Sequence, residues 1–308
     1  MPAESHRAVR PPALTAVLAA LRCPLCAAQL SQVSQSLRCE RRHSFNISRQ
    51  GYADLDAGGR RAGTADTPPM VAAREQFLGQ GHYAPIARAL ACFAVRFWPG
   101  AGGTGLAVDL AGGTGYYLSA VLGSVLESSG ICVDLSKPAL RRAARSHPRA
   151  AAVRSDVWRP LPLADGAASI VMSAFGPRNA GETIRVLAPG GVFLLVTPTV
   201  RHLREVVTGL GMLSVDPVKA ERLAASLSGF DLLAGQTMTY QAALGHRDLS
   251  NLVAMGPSAH HVTAGQLARR VAALREPRRV TISVSIAAYR PARPAVKRRR
   301  RTGLGSPA

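Results

Sequence analysis

Four residues near the N-terminus have the types and the spacing to hold a metal ion. Cys23-Pro-Leu-Cys26 is followed after twelve residues by Cys39, and His43 stands four positions beyond that. A Cys-x-x-Cys turn offers two thiolates to one ion while a second turn returns two more ligands, the tetrahedral set that zinc prefers. Protein then fills all four positions, so the zinc is expected to be structural rather than catalytic. Small polar residues alternating with Leu30, Val33 and Leu37 fit a zinc ribbon of two short hairpins over residues 22–55. Such a module has little core of its own, and the metal must supply folding free energy. The five cysteines are odd in number and unevenly spaced, which argues against a disulfide framework. Cys92 and Cys132 stand alone in apolar contexts and read as buried small hydrophobes.

A second constellation recurs at the ends of apolar segments. Leu106-Ala107-Val108-Asp109-Leu110 reads as a strand carrying an acid, and Ala111-Gly112-Gly113-Thr114-Gly115 follows before a helix expected over Tyr116 to Leu126. A glycine turn between strand and helix lets the backbone approach a ligand at the strand's carboxyl end. Ile131-Cys132-Val133-Asp134 supplies a second acid, suited to the two ribose hydroxyls of an adenosine. A third strand, Ala151 to Ser155, ends in Asp156, placed to accept from an adenine amino group, and a fourth, Ala168 to Ser173, leads into Ala174-Phe175-Gly176-Pro177. Leu187-Ala188-Pro189-Gly190-Gly191 then turns into a fifth. A dinucleotide enzyme normally needs room for a pyrophosphate and a second nucleotide half, whereas the order here is acid, glycine turn, acid, acid and Pro-Gly-Gly turn. It is the layout of a class I, Rossmann-like α/β methyltransferase of seven strands, whose ligand is S-adenosylmethionine. Each acid taken singly could instead be a solvated strand end or a helix cap.

The elements that must position these groups fall into five stretches: an N-terminal extension (1–21), the ribbon (22–55), a linker and helix (56–82), the methyltransferase domain (83–290) and a basic tail expected to be disordered (291–308). Asp56 to Pro69 is rich in Gly, Ala, Thr and Pro; Met70 to Gly79 reads as a helix, and Gly81-His82-Tyr83 separates it from another with Ile86, Ala89, Leu90 and Phe93 on one face. The 308 residues carry 38 Lys and Arg against 18 Asp and Glu, a net charge of +20. Arg290 to Arg301 accounts for seven of the basic residues with no acid, and the remainder is still strongly basic. That points to a polyanion, RNA before membrane; an Arg-rich proteome is the competing explanation. The apolar runs, such as Gly191 to Thr197, are of strand length, far below the roughly 20 residues of a membrane span. Arg7, Arg10 and the stretch Ala13 to Leu21 ahead of Cys23 imitate a short export signal, but no Ala-x-Ala site follows and Cys23 belongs to the metal set. The expected location is the cytoplasm.

Several local motifs together make the chain similar to one family. These are Cys23-Pro-x-Cys26 with Cys39 and His43, Arg49-Gln50-Gly51-Tyr52, Gly81-His82-Tyr83, Gly113-Thr114-Gly115-Tyr116-Tyr117, Asp134-Leu135-Ser136-Lys137-Pro138-Ala139, Thr197-Pro198 with Arg201-His202-Leu203, and Met255-Gly256-Pro257. From about Arg22 to Tyr289 the chain resembles the large-subunit ribosomal RNA (guanine-N1)-methyltransferases of the RlmA family, closest to the macrolide-resistance type. The resemblance implies a cofactor pocket lined by Tyr83, Asp109, Gly112, Gly113, Thr114, Gly115, Tyr117, Leu118, Asp134, Asp156 and His202. It also implies a target guanine in a hairpin of large-subunit ribosomal RNA that lines the peptide exit tunnel, with resistance to tylosin-like drugs as a consequence. A homodimer is left open. Two positions depart from the family pattern: Ala111 stands where a Gly is expected, holding the turn further from the methionine moiety, and His260 stands where a Trp is expected to stack on RNA.

The chemistry asked of such a site is alignment. A sulfonium methyl is already electrophilic, so the protein must set acceptor nitrogen, methyl carbon and sulfur in line and exclude water. Guanine N1 must also lose a proton, and no residue stands out as the base; the catalytic group is unassigned. Phe175 is the candidate to stack on a flipped base, with ordinary core packing as its alternative. Two other functions stay open on sequence alone: a methyltransferase acting on a small molecule, and a non-catalytic RNA-binding protein retaining a degenerate cofactor fold.

Overall fold

A computed structural model describes residues 12–58, 65–99, 104–210, 225–256 and 263–292. His260 and the tail from residue 293 lie outside them.

Three short strands, β1 (Leu30–Val33), β2 (Ser36–Cys39) and β3 (Ser44–Asn46), form an antiparallel sheet rather than two separate hairpins. The next strand, β4 (Tyr52–Asp54), leaves this sheet and pairs in parallel with β7 (Ala150–Arg154), setting Tyr52 opposite Ala152. After the short N-terminal helix α1 (Pro12–Ala16), two longer helices follow β4, α2 (Pro68–Gly79) and α3 (Ala84–Phe97), each with a proline in its first turn, where the missing N–H costs nothing.

The main sheet is built from β5 (Gly105–Leu110), β6 (Ser128–Asp134), β7, β8 (Ala168–Ala174), β9 (Leu187–Pro198), β10 (Phe230–Leu244) and β11 (Arg278–Pro291). Its order is β10-β11-β9-β8-β5-β6-β7-β4. The seven expected strands are thus present, in the sequence 3-2-1-4-5-7-6 when numbered within the sheet, and β4 adds an eighth at the edge. All neighbours from β4 to β9 run parallel, while β11 runs antiparallel to β9 and β10. Because β5 pairs with both β6 and β8, the strand order reverses there, and a crevice opens outside the carboxyl ends of those strands.

The strand alternation sorts side chains onto two faces. Ala107 of β5 belongs to one apolar cluster with Leu90 and Phe93 of α3 and with Leu118 and Leu122 of α4 (Tyr116–Ser124). Leu106, Val108 and Leu110 face the other way, into a cluster with Leu30, Leu37 and Ile47 of the ribbon and with Leu14, Val17 and Leu21 of the N-terminal extension. Ala13, Leu14, Val17 and Leu21, in the stretch that imitates an export signal in the sequence, are therefore part of the core. Full burial of Leu14 and Leu21 contributes on the order of 1.5–3 kcal/mol apiece. Among the described residues no helix is long and apolar enough to cross a membrane.

Of the remaining helices, α5 (Lys137–Ala143) and α6 (Ala180–Val186) are capped by Ser136 and Asn179, whose side chains accept from Ala139 and Glu182 N–H groups. Further along come α7 (Arg204–Leu210), α8 (His246–Ala254) and α9 (Ala264–Ala272).

Candidate active site and metal centre

The metal cluster forms at two tight turns. Cys23 and Cys26 sit in a turn closed by the Cys23 N–H to Ala28 carbonyl bond and by Ala27 in the left-handed region at φ 58°; Cys39 and His43 sit in another closed by the Cys39 N–H to His43 carbonyl bond, with Arg42 at φ 64°. One donor atom from each of the four lies within 4.8 Å of all the others. Both Cys23 Sγ and Cys39 Sγ are 3.4 Å from His43 Nδ1, and Cys26 Sγ is 3.7 Å from Cys39 Sγ. Ligands about 2.1–2.3 Å from a tetrahedral zinc are separated by roughly 3.5–3.8 Å, so these spacings are those of a coordination shell. A set of three thiolates and one imidazole fits Zn2+.

The second site is a cavity of about 510 Å³ over the carboxyl ends of β5, β6 and β8. Tyr83, Gly112, Thr114, Tyr117, Asp134, Asp156 and His202 line it, together with Phe175. Four residues of the expected pocket do not line its wall. Asp109 is only 1% exposed, beneath Gly112, where a Cβ would come within 2.7 Å of its carboxylate and of Cys132 Sγ. Gly113 and Gly115 adopt positive φ, 58° and 77°, and shape the turn; Gly115 also packs so closely on Ala143 that a Cβ there would come within 3.2 Å of its Cα. Leu118 is fully buried in the core on the inner face of α4.

Asp134 is braced by backbone: Gly113 N–H donates to Oδ2 at 2.9 Å and Ser136 N–H to Oδ1 at 2.8 Å. Burial nevertheless raises its pKa above the ordinary carboxylate value. Burial, and then the charge of Asp134, raise Asp109 well above its usual range. Asp109 Oδ2 and the Tyr117 hydroxyl are buried without a hydrogen-bond partner in the protein. The orphaned Tyr117 hydroxyl, on the cavity wall beside a glycine cradle, fits a ligand that brings it a polar partner.

Ala111 occupies the left-handed region at φ 54°, where glycine is at ease and alanine is not. Relief of about 1–2 kcal/mol of strain, set against about 0.4–1 kcal/mol of unfolded-state entropy, makes Ala111→Gly neutral to stabilising by roughly 1 kcal/mol. Thermal unfolding should show a melting temperature unchanged or a few degrees higher; a clear fall would contradict the strain assignment.

An aromatic wall faces the acids. Phe175 lies immediately beyond β8 with φ 60°, and its ring stacks on Tyr83 at 5.7 Å and 23° and lies tilted against His202 at 5.8 Å and 31°. It remains 38% exposed, more than core packing would leave it. His202 Nδ1 accepts from the Ser283 N–H at 3.2 Å, which places the ring hydrogen on Nε2, 3.2 Å from the Tyr83 hydroxyl. Burial lowers the His202 pKa to about 4, so the ring is neutral at physiological pH. The folded-state value lies below the unfolded value near 6.5, so the unfolded chain binds the extra proton between them. Stability is thus complete above about pH 6.5 and falls as pH drops toward 4, by up to roughly 3 kcal/mol from this group. Urea unfolding across that window should show a steeper loss for wild type than for His202→Gln; parallel curves would refute it.

Residues 21–55 match the family model for the N-terminal zinc ribbon of RlmA. A putative 23S rRNA (guanine-N1)-methyltransferase from Micromonospora griseorubida is 47% identical over 287 residues, covering 88% of this chain and 97% of that protein. The 23S rRNA (guanine(748)-N1)-methyltransferase of Streptomyces fradiae is 46% identical over 272 residues, 88% of this chain and 96% of its own. The chain belongs to the 23S rRNA (guanine-N1)-methyltransferase family. Among solved structures, an S-adenosylmethionine-dependent methyltransferase from Geobacter sulfurreducens in complex with S-adenosyl-L-homocysteine aligns with 74% of this chain and 100% of its own, at 18% identity and TM-score 0.45. At that score it adds nothing to the strand order.

For a member of this methyltransferase family, several cavity residues carry no signal in the sequence motifs. Arg74 and Asp66 reach the wall from α2 and the segment before it, Trp158 stands 55% exposed at the rim, and Leu252 enters from α8. Trp158 follows Asp156 in a tight turn in which its N–H donates to Asp156 Oδ1 at 3.0 Å. A tryptophan two residues past a strand-end acid was a signal that could have been read.

Proposed function

We propose that this protein transfers a methyl group from S-adenosylmethionine to N1 of a guanine in a hairpin loop of 23S ribosomal RNA. The observation that carries the reading is near-full-length identity of 46–47% to two proteins whose names specify that reaction. The cavity supports it. Asp134 would accept from the ribose hydroxyls and Asp156 from the adenine amino group. Gly112, Gly113, Thr114, Gly115 and the Tyr83–His202 pair would enclose the rest, with Asp109 and Leu118 supporting the turn from below. When bound, the cofactor supplies a sulfonium methyl that needs no further activation.

The protein's part is to align the acceptor. Phe175, stacked on Tyr83 and half open to the cavity mouth, offers its free face to an extruded guanine. The cavity residues would hold guanine N1 in line with the sulfonium methyl, with the N1 proton passing to water. Arg38, Arg41, Arg42 and Arg49 are all exposed on the ribbon, a basic surface for the paired stem beside the loop. The working location is the cytoplasm, where ribosomes are assembled. A methyl on an exit-tunnel guanine would raise tolerance to a tylosin-like drug.

Primer extension on 23S rRNA methylated in vitro is the test, because a methyl at N1 abolishes pairing and stops the polymerase at one guanine. Phe175→Ala should slow appearance of the stop by roughly 5- to 150-fold while leaving cofactor affinity within about threefold, since stacking on a base is worth about 1–3 kcal/mol. A methyl that leaves extension unimpeded, or activity confined to small molecules, would sink the reading.

A further inference from the structure

We infer that Arg74 binds the α-carboxylate of the cofactor's methionine end and that Asp66 holds its guanidinium ready for it. This rests on the methyltransferase reading above. S-Adenosylmethionine has two chemically different ends: an adenosine, recognised by hydrogen bonds, and an amino-acid zwitterion whose carboxylate needs a cation once removed from water. Asp134 and Asp156 are acids, so the carboxylate is repelled from the adenosine end. Among the described residues lining the cavity, Arg74 is the one permanent cation, because His202 is held neutral.

The guanidinium is built in rather than draped over the surface. Nη1 lies 2.5 Å from Asp66 Oδ2, and Nη2 donates to the Met255 carbonyl at 2.8 Å. Nη1 also rests on the glycine turn, where a Cβ at Gly113 would approach it to 2.8 Å. Any side chain at 113 would displace the arginine as well as strain the backbone. Two contacts leave most of the five N–H donors free, in the planar fork that matches a carboxylate. Asp66 is fixed in turn, since its carbonyl accepts from Ser136 Oγ at 2.7 Å, and Ser136 N–H is bonded to Asp134. One residue therefore braces both the ribose acid and the Arg74–Asp66 pair. That pair presents the two charges of a zwitterion in reverse, with Asp66 available to the α-ammonium.

The test is calorimetry on the full-length zinc-loaded protein with S-adenosylhomocysteine and with 5′-methylthioadenosine, which keeps the adenosine and thioether but lacks the amino acid. Arg74→Met should weaken S-adenosylhomocysteine about 10- to 100-fold and change methylthioadenosine by less than about twofold. Arg74→Lys, which keeps the charge and loses the fork, should recover part of the loss. Equal loss of both ligands would show that Arg74 serves the turn or the ribose, and unchanged S-adenosylhomocysteine binding would place the carboxylate elsewhere; either overturns the assignment. Should Arg74→Met fail to fold, decarboxylated S-adenosylhomocysteine on wild type decides the same point: it should bind about 10- to 100-fold more weakly than the parent, and equal binding refutes the contact. If wild type binds neither adenosine ligand, the methyltransferase reading itself fails, which is a different result from an unselective Arg74 effect.

Discussion

Cys39→Ala is expected to release the zinc and to unfold the ribbon, with damage that reaches the main sheet. Apparent zinc affinities of small Cys/His modules correspond to about 10–16 kcal/mol of free energy, and most of this is folding energy because no site exists in the unfolded chain. The three-strand sheet of the ribbon buries few large side chains, chiefly Leu30, Leu37 and Ile47, and cannot replace that amount. Those three side chains belong to the same apolar cluster as Val108, Ile131 and Val153, so losing the ribbon exposes one face of the main sheet. The chain continues from the ribbon into β4, whose register on β7 is tied by the Leu55 N–H to Arg154 carbonyl bond and by ion pairs from Arg154 to Asp54 and Asp56. Elemental analysis should find no stoichiometric zinc in the variant, and limited proteolysis should cut within residues 22–55 first. The melting transition should fall by well over ten degrees. Full zinc content with native protease resistance would overturn the ligand assignment.

That coupling shows where sequence reasoning reached and where it stopped. The cysteine turns and the glycine turn were legible because each is local: the chemistry needs particular residues at fixed short spacing. Asp134 and Asp156 were legible because a strand-end acid repeats with the βαβ rhythm. The pairing of Tyr52 with Ala152 had no such signal, since three residues of strand with no alternation to speak of found a partner about a hundred positions away. Arg74 was invisible for the same reason. It sits in a helix that reads as a connector, and its role depends on the fold laying α2 across the glycine turn. Leu118, which the resemblance implies for the pocket, lies off the cavity wall because helical spacing with Val121 and Leu122 turns its side chain toward the core. Asp109 is an acid on the strand that lies beneath the turn, because strand alternation points it inward with Ala107.

Asp134→Ala is expected to lower affinity for S-adenosylhomocysteine by about 2–4 kcal/mol, roughly 30- to 1000-fold, because it removes an anion placed to accept from two hydroxyls. The alternative explanation is collapse of the turn, since the same carboxylate anchors the Gly113 and Ser136 N–H groups. Two measurements separate them. Methylthioadenosine keeps the ribose, so its affinity should fall as much as that of S-adenosylhomocysteine, the opposite of the Arg74 pattern. Asp134→Asn retains an acceptor toward Ser136 but turns its NH2 toward the Gly113 N–H, so it should lose less melting temperature than Asp134→Ala while still losing most of the affinity. The pH dependence has a definite sign as well. Burial raises the Asp134 pKa in the free protein, so the carboxylate is protonated at a higher pH than an exposed aspartate, and affinity should weaken as pH falls toward that raised value. Wild type should show this decline in calorimetry across mildly acidic pH, and Asp134→Asn, with nothing to protonate there, should show a flatter profile. Unchanged affinity in both variants, or identical pH profiles for wild type and Asp134→Asn, would place the adenosine away from the end of β6.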